Sequence, residues 1–106
     1  MECHYRLHAS AMHLMLDALA ESPGDPAVTA ALGRAAGYVA AQADRLDCGI
    51  WFLHDDLERS PESLDKGPFK WLPSRVLGKS ESNMLVLNTH LDTTIALDRC
   101  HAFQSR

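Results

Sequence analysis

Apolar positions recur at helical spacing through the N-terminal part of the chain. Leu7, Ala11, Leu14 and Ala18 form one row, and Met12, Met15, Leu16 and Leu19 widen it, so the spacing predicts a helix from Tyr5 to about Glu21 with a broad apolar face. Ser22-Pro23-Gly24-Asp25-Pro26 then combines a stop with a start. The Asp25 carboxylate can accept from unpaired backbone N–H groups, and Pro26 suits the first helical position. A second helix is expected from Pro26 to about Leu46, with Val28, Leu32, Ala35, Val39 and Ala43 as its apolar row. Gly33 and Gly37 lie one turn apart on another face. Each costs roughly 1 kcal/mol in helix propensity, which the close approach of another helix would offset. So short a connection makes the pair an antiparallel hairpin.

The pattern changes after Asp47-Cys48-Gly49. Ile50-Trp51-Phe52-Leu53 is β-branched and aromatic and reads as a strand or extended segment. From His54 to Met84 no period is sustained, and Pro61, Pro68, Pro73, Gly67 and Gly78 punctuate the stretch. Phe69, Trp71 and Leu72 within it point to a long ordered loop that folds back onto apolar surface. The last element is expected from Asn88 to about His101, with Asn88 as its N-cap and Leu91, Ile95 and Leu97 as its apolar face. The expected fold is all-α: a helical hairpin plus a third helix, a short extended segment and a long loop. Residues 1–106 then form a single helical domain or a fragment of something larger.

Composition narrows the partners. Apolar residues make up 46% and charged residues 23%, ordinary values for a globular domain. The net charge of -4 is the wrong sign for a general basic surface, so neither nucleic acid nor an anionic membrane is expected as a partner. His13, Asp17 and Glu21 interrupt the N-terminal apolar run before it reaches the ~18–20 residues of a spanning helix. Glu2 stands where a signal peptide would carry positive charge. Three cysteines, Cys3, Cys48 and Cys100, cannot all pair within one chain, and none lies in a C-x-x-C motif. A reduced, cytoplasmic chain is the expectation.

Two short strings carry a family resemblance. Asp47-Cys48-Gly49-Ile50-Trp51-Phe52 follows a helix pair, and Leu85-Val86-Leu87-Asn88-Thr89-His90-Leu91 opens the next helix. In this layout the chain resembles the (α/α) toroid proteins, among them glucuronyl C5-epimerase-like proteins and several glycoside hydrolase and polysaccharide lyase groups. The resemblance implies a ring of helical hairpins around a funnel where a sugar chain binds. A complete ring needs more helices than this chain holds, so it further implies a fragment of a larger toroid.

Candidate chemistry lies where the loop after the extended piece and the start of the third helix could converge. His54, Asp56 and His90 are the candidate catalytic residues, since a carboxylate beside an imidazole can orient it for acid–base work. His54 and Asp56 share one side of an extended chain. The alternative for the same run is that Asp55 or Asp56 caps a local helical turn. Trp51, Trp71 and Asn88 are the candidate substrate-binding residues, because a Trp face stacks on a pyranose ring. Neutral glycans should suit this acidic neighbourhood at least as well as uronates. His13 and Asp17 have the spacing of an ion pair. Cys3-His4 and Cys100-His101 hold metal-ligand residue types, but neighbouring side chains rarely reach one ion, so no metal site is assigned. Nucleophile-elbow, phosphate-loop and dinucleotide motifs are absent from the sequence, and no cofactor is expected.

Two functional readings follow. One is a carbohydrate-binding or carbohydrate-processing module with an oligosaccharide ligand. The other is a non-catalytic helical interaction module that dimerises through apolar helix faces. Either reading requires a homo-oligomer or the remainder of a larger chain, and in a toroid fragment the faces around Met12, Met15, Val28 and Val39 would be left partly uncovered.

Overall fold

The structure, a computed structural model, describes residues 5–65, 80 and 82–105. The hairpin forms as the sequence directs: α1 spans Tyr5–Glu21 and α2 spans Pro26–Ala41. Asp25 caps α2, its carboxylate accepting from Ala27 N at 3.0 Å and Val28 N at 3.1 Å, with Pro26 in the first turn. A later helix, α4 (Leu87–Gln104), lies alongside α1 and runs parallel to it. The direction follows from the bonds between them, for Arg6 reaches Asp92 while Arg99, a further seven residues along, reaches His13 and Asp17. Ala9, Met12, Leu16 and Leu19 of α1 meet Leu32 and Val39 of α2 and Ala96 and Cys100 of α4 in one core.

The inward faces differ from the expected ones. On α1 the buried row is Tyr5, Ala9, Met12, Leu16 and Leu19, whereas Leu7 is 68% and Leu14 71% exposed. Ala11 and Ala18 share their exposed side. Periodicity gives a helix its spacing but not its phase, and α1 carries apolar rows on opposite sides. On α4 the difference is larger. It buries Thr89, Thr93, Ala96 and Cys100 and leaves Leu87, Leu91 and Ile95 about half exposed. Small side chains let the α4 axis approach α1 closely, and that turns the long side chains outward. Met12 and Val39 are buried and Met15 and Val28 half-buried, so the uncovered surface is not the one expected. Gly33 and Gly37 face open space on the exposed side of α2, and no other helix approaches them among the described residues.

The second helix stops short of Leu46. After Ala41 the chain turns at Gln42 and enters β1 (Ala43–Leu46), which pairs antiparallel with β2 (Gly49–Phe52) in the register Ala43↔Phe52 to Leu46↔Gly49. Gln42 is held there by its neighbours: its backbone oxygen accepts from Leu53 N at 3.0 Å, and its side-chain oxygen accepts from Arg59 Nε and Nη2 at 3.0 and 2.9 Å. Asp47 and Cys48 make the turn, and Gly49 adopts a φ of 153° that side chains disfavour. The fold is therefore mostly helical with a small antiparallel sheet. The start of the expected loop is also ordered into elements, a 3-10 turn at Asp56–Arg59 and a short helix α3 at Pro61–Asp65. Trp71, with Phe69 and Leu72, lies outside the described residues.

Buried hydroxyls on α4 give a first test. Thr93 is 1% exposed and its Oγ1 finds no hydrogen-bond partner among the described residues. Thr93→Val keeps the shape and removes the unpaired group, which should stabilise the fold by about 1 kcal/mol. A thermal melt is expected to rise by roughly 4–8 °C for that gain, and a fall would show that the hydroxyl is satisfied in solution.

Candidate functional site

The end of β2 and the first turn of α4 bring several of the expected site residues together. Trp51 stacks on His90 with ring centroids 4.2 Å apart and planes 12° from parallel. The Phe52 ring lies 5.6 Å from the same imidazole. Phe52 N donates to His90 Nδ1 at 3.1 Å, so that nitrogen carries a lone pair and the neutral ring keeps its proton on Nε2. Burial agrees, holding His90 below its ordinary value. The face of Trp51 that stacks on His90 is closed to a sugar ring. Its indole Nε1 is buried without an acceptor among the described residues.

His54 is engaged through three atoms. Its Nδ1 meets Thr89 Oγ1, its N donates to Glu58 Oε1 at 2.9 Å, and its oxygen accepts from Tyr5 N at 2.8 Å. An imidazole beside a hydroxyl is the arrangement that activates a nucleophile, but Thr89 is fully buried and no substrate can reach it. Asp56 Oδ1 accepts from the Tyr5 hydroxyl at 2.7 Å and pairs with Arg59 Nε at 2.9 Å. Burial, and then Asp56, push the Tyr5 hydroxyl far above its ordinary value. Asn88 stands apart. The N-cap of α4 is Val86, with no side-chain cap, and Asn88 is an exposed residue of the first turn. The expected cap is absent because the N-cap position falls two residues earlier, at Val86.

Glu58 organises this region. Asp55 caps the 3-10 turn by accepting from Leu57 N at 2.8 Å, and Glu58 reaches back to the backbone N–H groups of His54 and Asp55, forming a capping box. The other Glu58 oxygen accepts from Met84 N at 2.7 Å, while its backbone oxygen accepts from Ser82 Oγ at 2.6 Å. One carboxylate thus ties the chain leaving β2 to the chain entering α4. Asp44 adds a second tie, accepting from Ser80 N and Asn83 Nδ2, both at 2.8 Å. The Asp55-x-x-Glu58 spacing is the legible signal of this feature.

Chemically the cluster is a set of ties between chain segments, with the Trp51 indole N–H left unpaired among the described residues. A cavity of about 200 Å³ lies elsewhere, at Leu16, Arg99 and Phe103, and one of about 220 Å³ borders the cluster at Gln42, Asp44, Glu58 and Arg59; among the described residues, no expected site residue lines either. His13 and Asp17 do not pair with each other, since Arg99 takes both at 2.7 and 2.8 Å. A guanidinium can only donate, so His13 Nδ1 accepts. Cys100 is buried, which pushes its thiol up, and His101 is exposed, while Cys3 and His4 lie outside the described residues.

A second candidate site is the outer face of α1 and α4. Arg6, His13 and Asp17 of α1 and Asp92 and Arg99 of α4 form a seam of charged contacts between the helices. By helical phase, at about 100° per residue, the buried rows lie on one side of that seam. Leu7 and Leu14 of α1 and Leu87, Leu91 and Ile95 of α4 lie on the other, and all five are exposed.

Two outcomes test the ties. His90→Ala removes the Trp51 stack and the acceptor of Phe52 N, and should cost about 1–3 kcal/mol in urea unfolding. Burial also holds the Glu58 carboxyl above its ordinary 4.5, against three backbone N–H groups that lower it. The folded chain then binds this proton more tightly than the unfolded one, so the contribution is full below pH 4.5 and is lost as pH rises through the folded value. Relative to Glu58→Gln, the native chain should lose stability as the pH rises above 4.5. A difference growing in its favour would mean that the N–H donors outweigh burial.

No family model, curated protein or solved structure matches this chain.

Proposed function

We propose that this chain is a non-catalytic helical interaction module that docks on a second copy of itself through the outer face of α1 and α4. One observation carries the reading. Helix α4 buries threonine, alanine and cysteine and leaves Leu87, Leu91 and Ile95 exposed, beside Leu7 and Leu14 of α1. Apolar surface gathered on one face of a small domain marks an interaction site.

Size and charge favour a second copy. Each helix is about 25 Å long, and packed helices lie about 10 Å apart. The face then measures roughly 25 by 20 Å, and two copies cover on the order of 1,000 Å², the lower end for a specific interface. The dimer is therefore reversible. The seam beside the leucines holds both signs of charge, which suits a self-complementary contact better than a strongly acidic or basic partner. A carbohydrate module draws less from the geometry, because Trp51 and His90 occupy each other's faces.

Light scattering over a concentration series tests the reading. The native chain should move toward twice the monomer mass as concentration rises. Leu91→Lys with Ile95→Lys should stay monomeric with unchanged helical circular dichroism. A native chain still monomeric at about 1 mM, and giving heat with a neutral oligosaccharide in calorimetry, would overturn the module in favour of sugar binding.

A further inference from the structure

The geometry points to a specific arrangement of that dimer: a two-fold axis running along the helices above the ion-pair seam, with α1 of each copy lying on the partner's α4 and parallel to it. This rests on the docking reading and adds the symmetry and register. Two layers meeting face to face allow a two-fold axis in the interface plane either along the helices or across them. An axis across the helices stacks α1 on the partner's α1, antiparallel. An axis along them stacks α1 on the partner's α4.

Charge decides between the two. Arg6 meets Asp92 at 3.0 Å, and Arg99 meets Asp17 at 2.8 Å, with the cations on opposite helices at the two ends of the seam. An axis along the seam sets each pair against the same pair reversed. Arg6 then faces the partner's Asp92 and Arg99 the partner's Asp17, and each pair becomes an alternating square of four charges. An axis across the helices at the centre of the apolar patch instead sets Arg6 near the partner's Arg6. The parallel arrangement aligns helix dipoles, an unfavourable interaction that solvent screens and the charge squares oppose.

Register agrees with the same axis. Arg6 to Asp92 and His13 to Arg99 both span a sequence separation of 86, with Arg99 also reaching Asp17 one turn further along α1, so an offset near 86 relates the two helices. Leu7 is then level with Thr93, midway between Leu91 and Ile95. Under the axis along the seam, Leu7 seats between the partner's Leu91 and Ile95, and both helices overlap over their full length. Under an axis across the helices, centred on the same patch, α1 from about Ala11 onward and α4 from about Cys100 onward would overhang.

Disulfide trapping between differently labelled copies tests this. In a background with Cys3→Ser and Cys48→Ser, an equimolar mixture of Leu7→Cys and Ile95→Cys chains should form the mixed disulfide. Leu14→Cys with Leu91→Cys, about 14 Å apart along the axis, should not. The alternative axis is shown by a Leu91→Cys with Ile95→Cys disulfide and a Leu7→Cys self-disulfide, and that result overturns the arrangement while leaving the docking reading intact. A monomer by light scattering with no disulfide in any mixture overturns both. Arg6→Asp adds an independent readout: it should weaken the dimer about tenfold or more, and Arg6→Asp with Asp92→Arg should restore it.

Discussion

Packing of α4 beside α1, with Ala96 and Cys100 in the shared core and Thr89 and Thr93 buried on the same side of the helix, is the constraint on which the rest of the structure depends. Small residues at the contact bring the helix axes together, and with the inner face fixed the long side chains have nowhere to go but outward. The seam pairs Arg6–Asp92 and Arg99–Asp17 are exposed, and such pairs contribute little each, about 0–1 kcal/mol. Their role is register. With the Arg99–His13 contact they tie α1 to α4 near both ends of the seam, within one helical turn of a common offset, and the leucines of both helices lie on a single face.

Delivering α4 to that position falls to buried polar groups rather than to the core. Glu58 is 1% exposed, yet it accepts backbone N–H groups from both sides of the loop, at His54 and Asp55 and at Met84. The His90 imidazole then fixes the first turn of α4 against β2 by accepting from Phe52 N and stacking on Trp51. Residue types that suggest catalysis are used here to satisfy a crossing between segments distant in sequence. Each such bond is modest, but leaving its buried partner unpaired costs about 1–3 kcal/mol, so the cluster acts as a clasp.

Local signals in the sequence carried the local structure. Asp25-Pro26 placed the start of α2, and Asp47-Cys48-Gly49 marked the turn before the extended aromatic run. What depended on partners was hidden. Residues 43–46 continue a helical pattern and become a strand because β2 offers its edge and Gln42 is captured by Arg59 and Leu53. Which row of α1 faces inward could not be read from a helix apolar on both sides. On α4 Leu91 and Ile95 pointed to the wrong face, while Leu97 does pack half-buried against the core; apolar ranking favours the large residues over Thr93 and Cys100 where packing favours the small ones. Of the expected site residues, Trp51 and His90 do meet, while His54 bonds instead to Thr89 and Asp56 to Tyr5 and Arg59. Only Asp55-x-x-Glu58 announced the clasp.

The central claim is that the outer leucines of α1 and α4 are covered by a second copy. Methyl spectra recorded over a dilution series test it most directly. The account expects the methyl resonances of Leu7, Leu14, Leu87, Leu91 and Ile95 to shift together with concentration, while those of the buried Leu32 and Val39 stay fixed. Outer methyl resonances that hold still up to about 1 mM would contradict it.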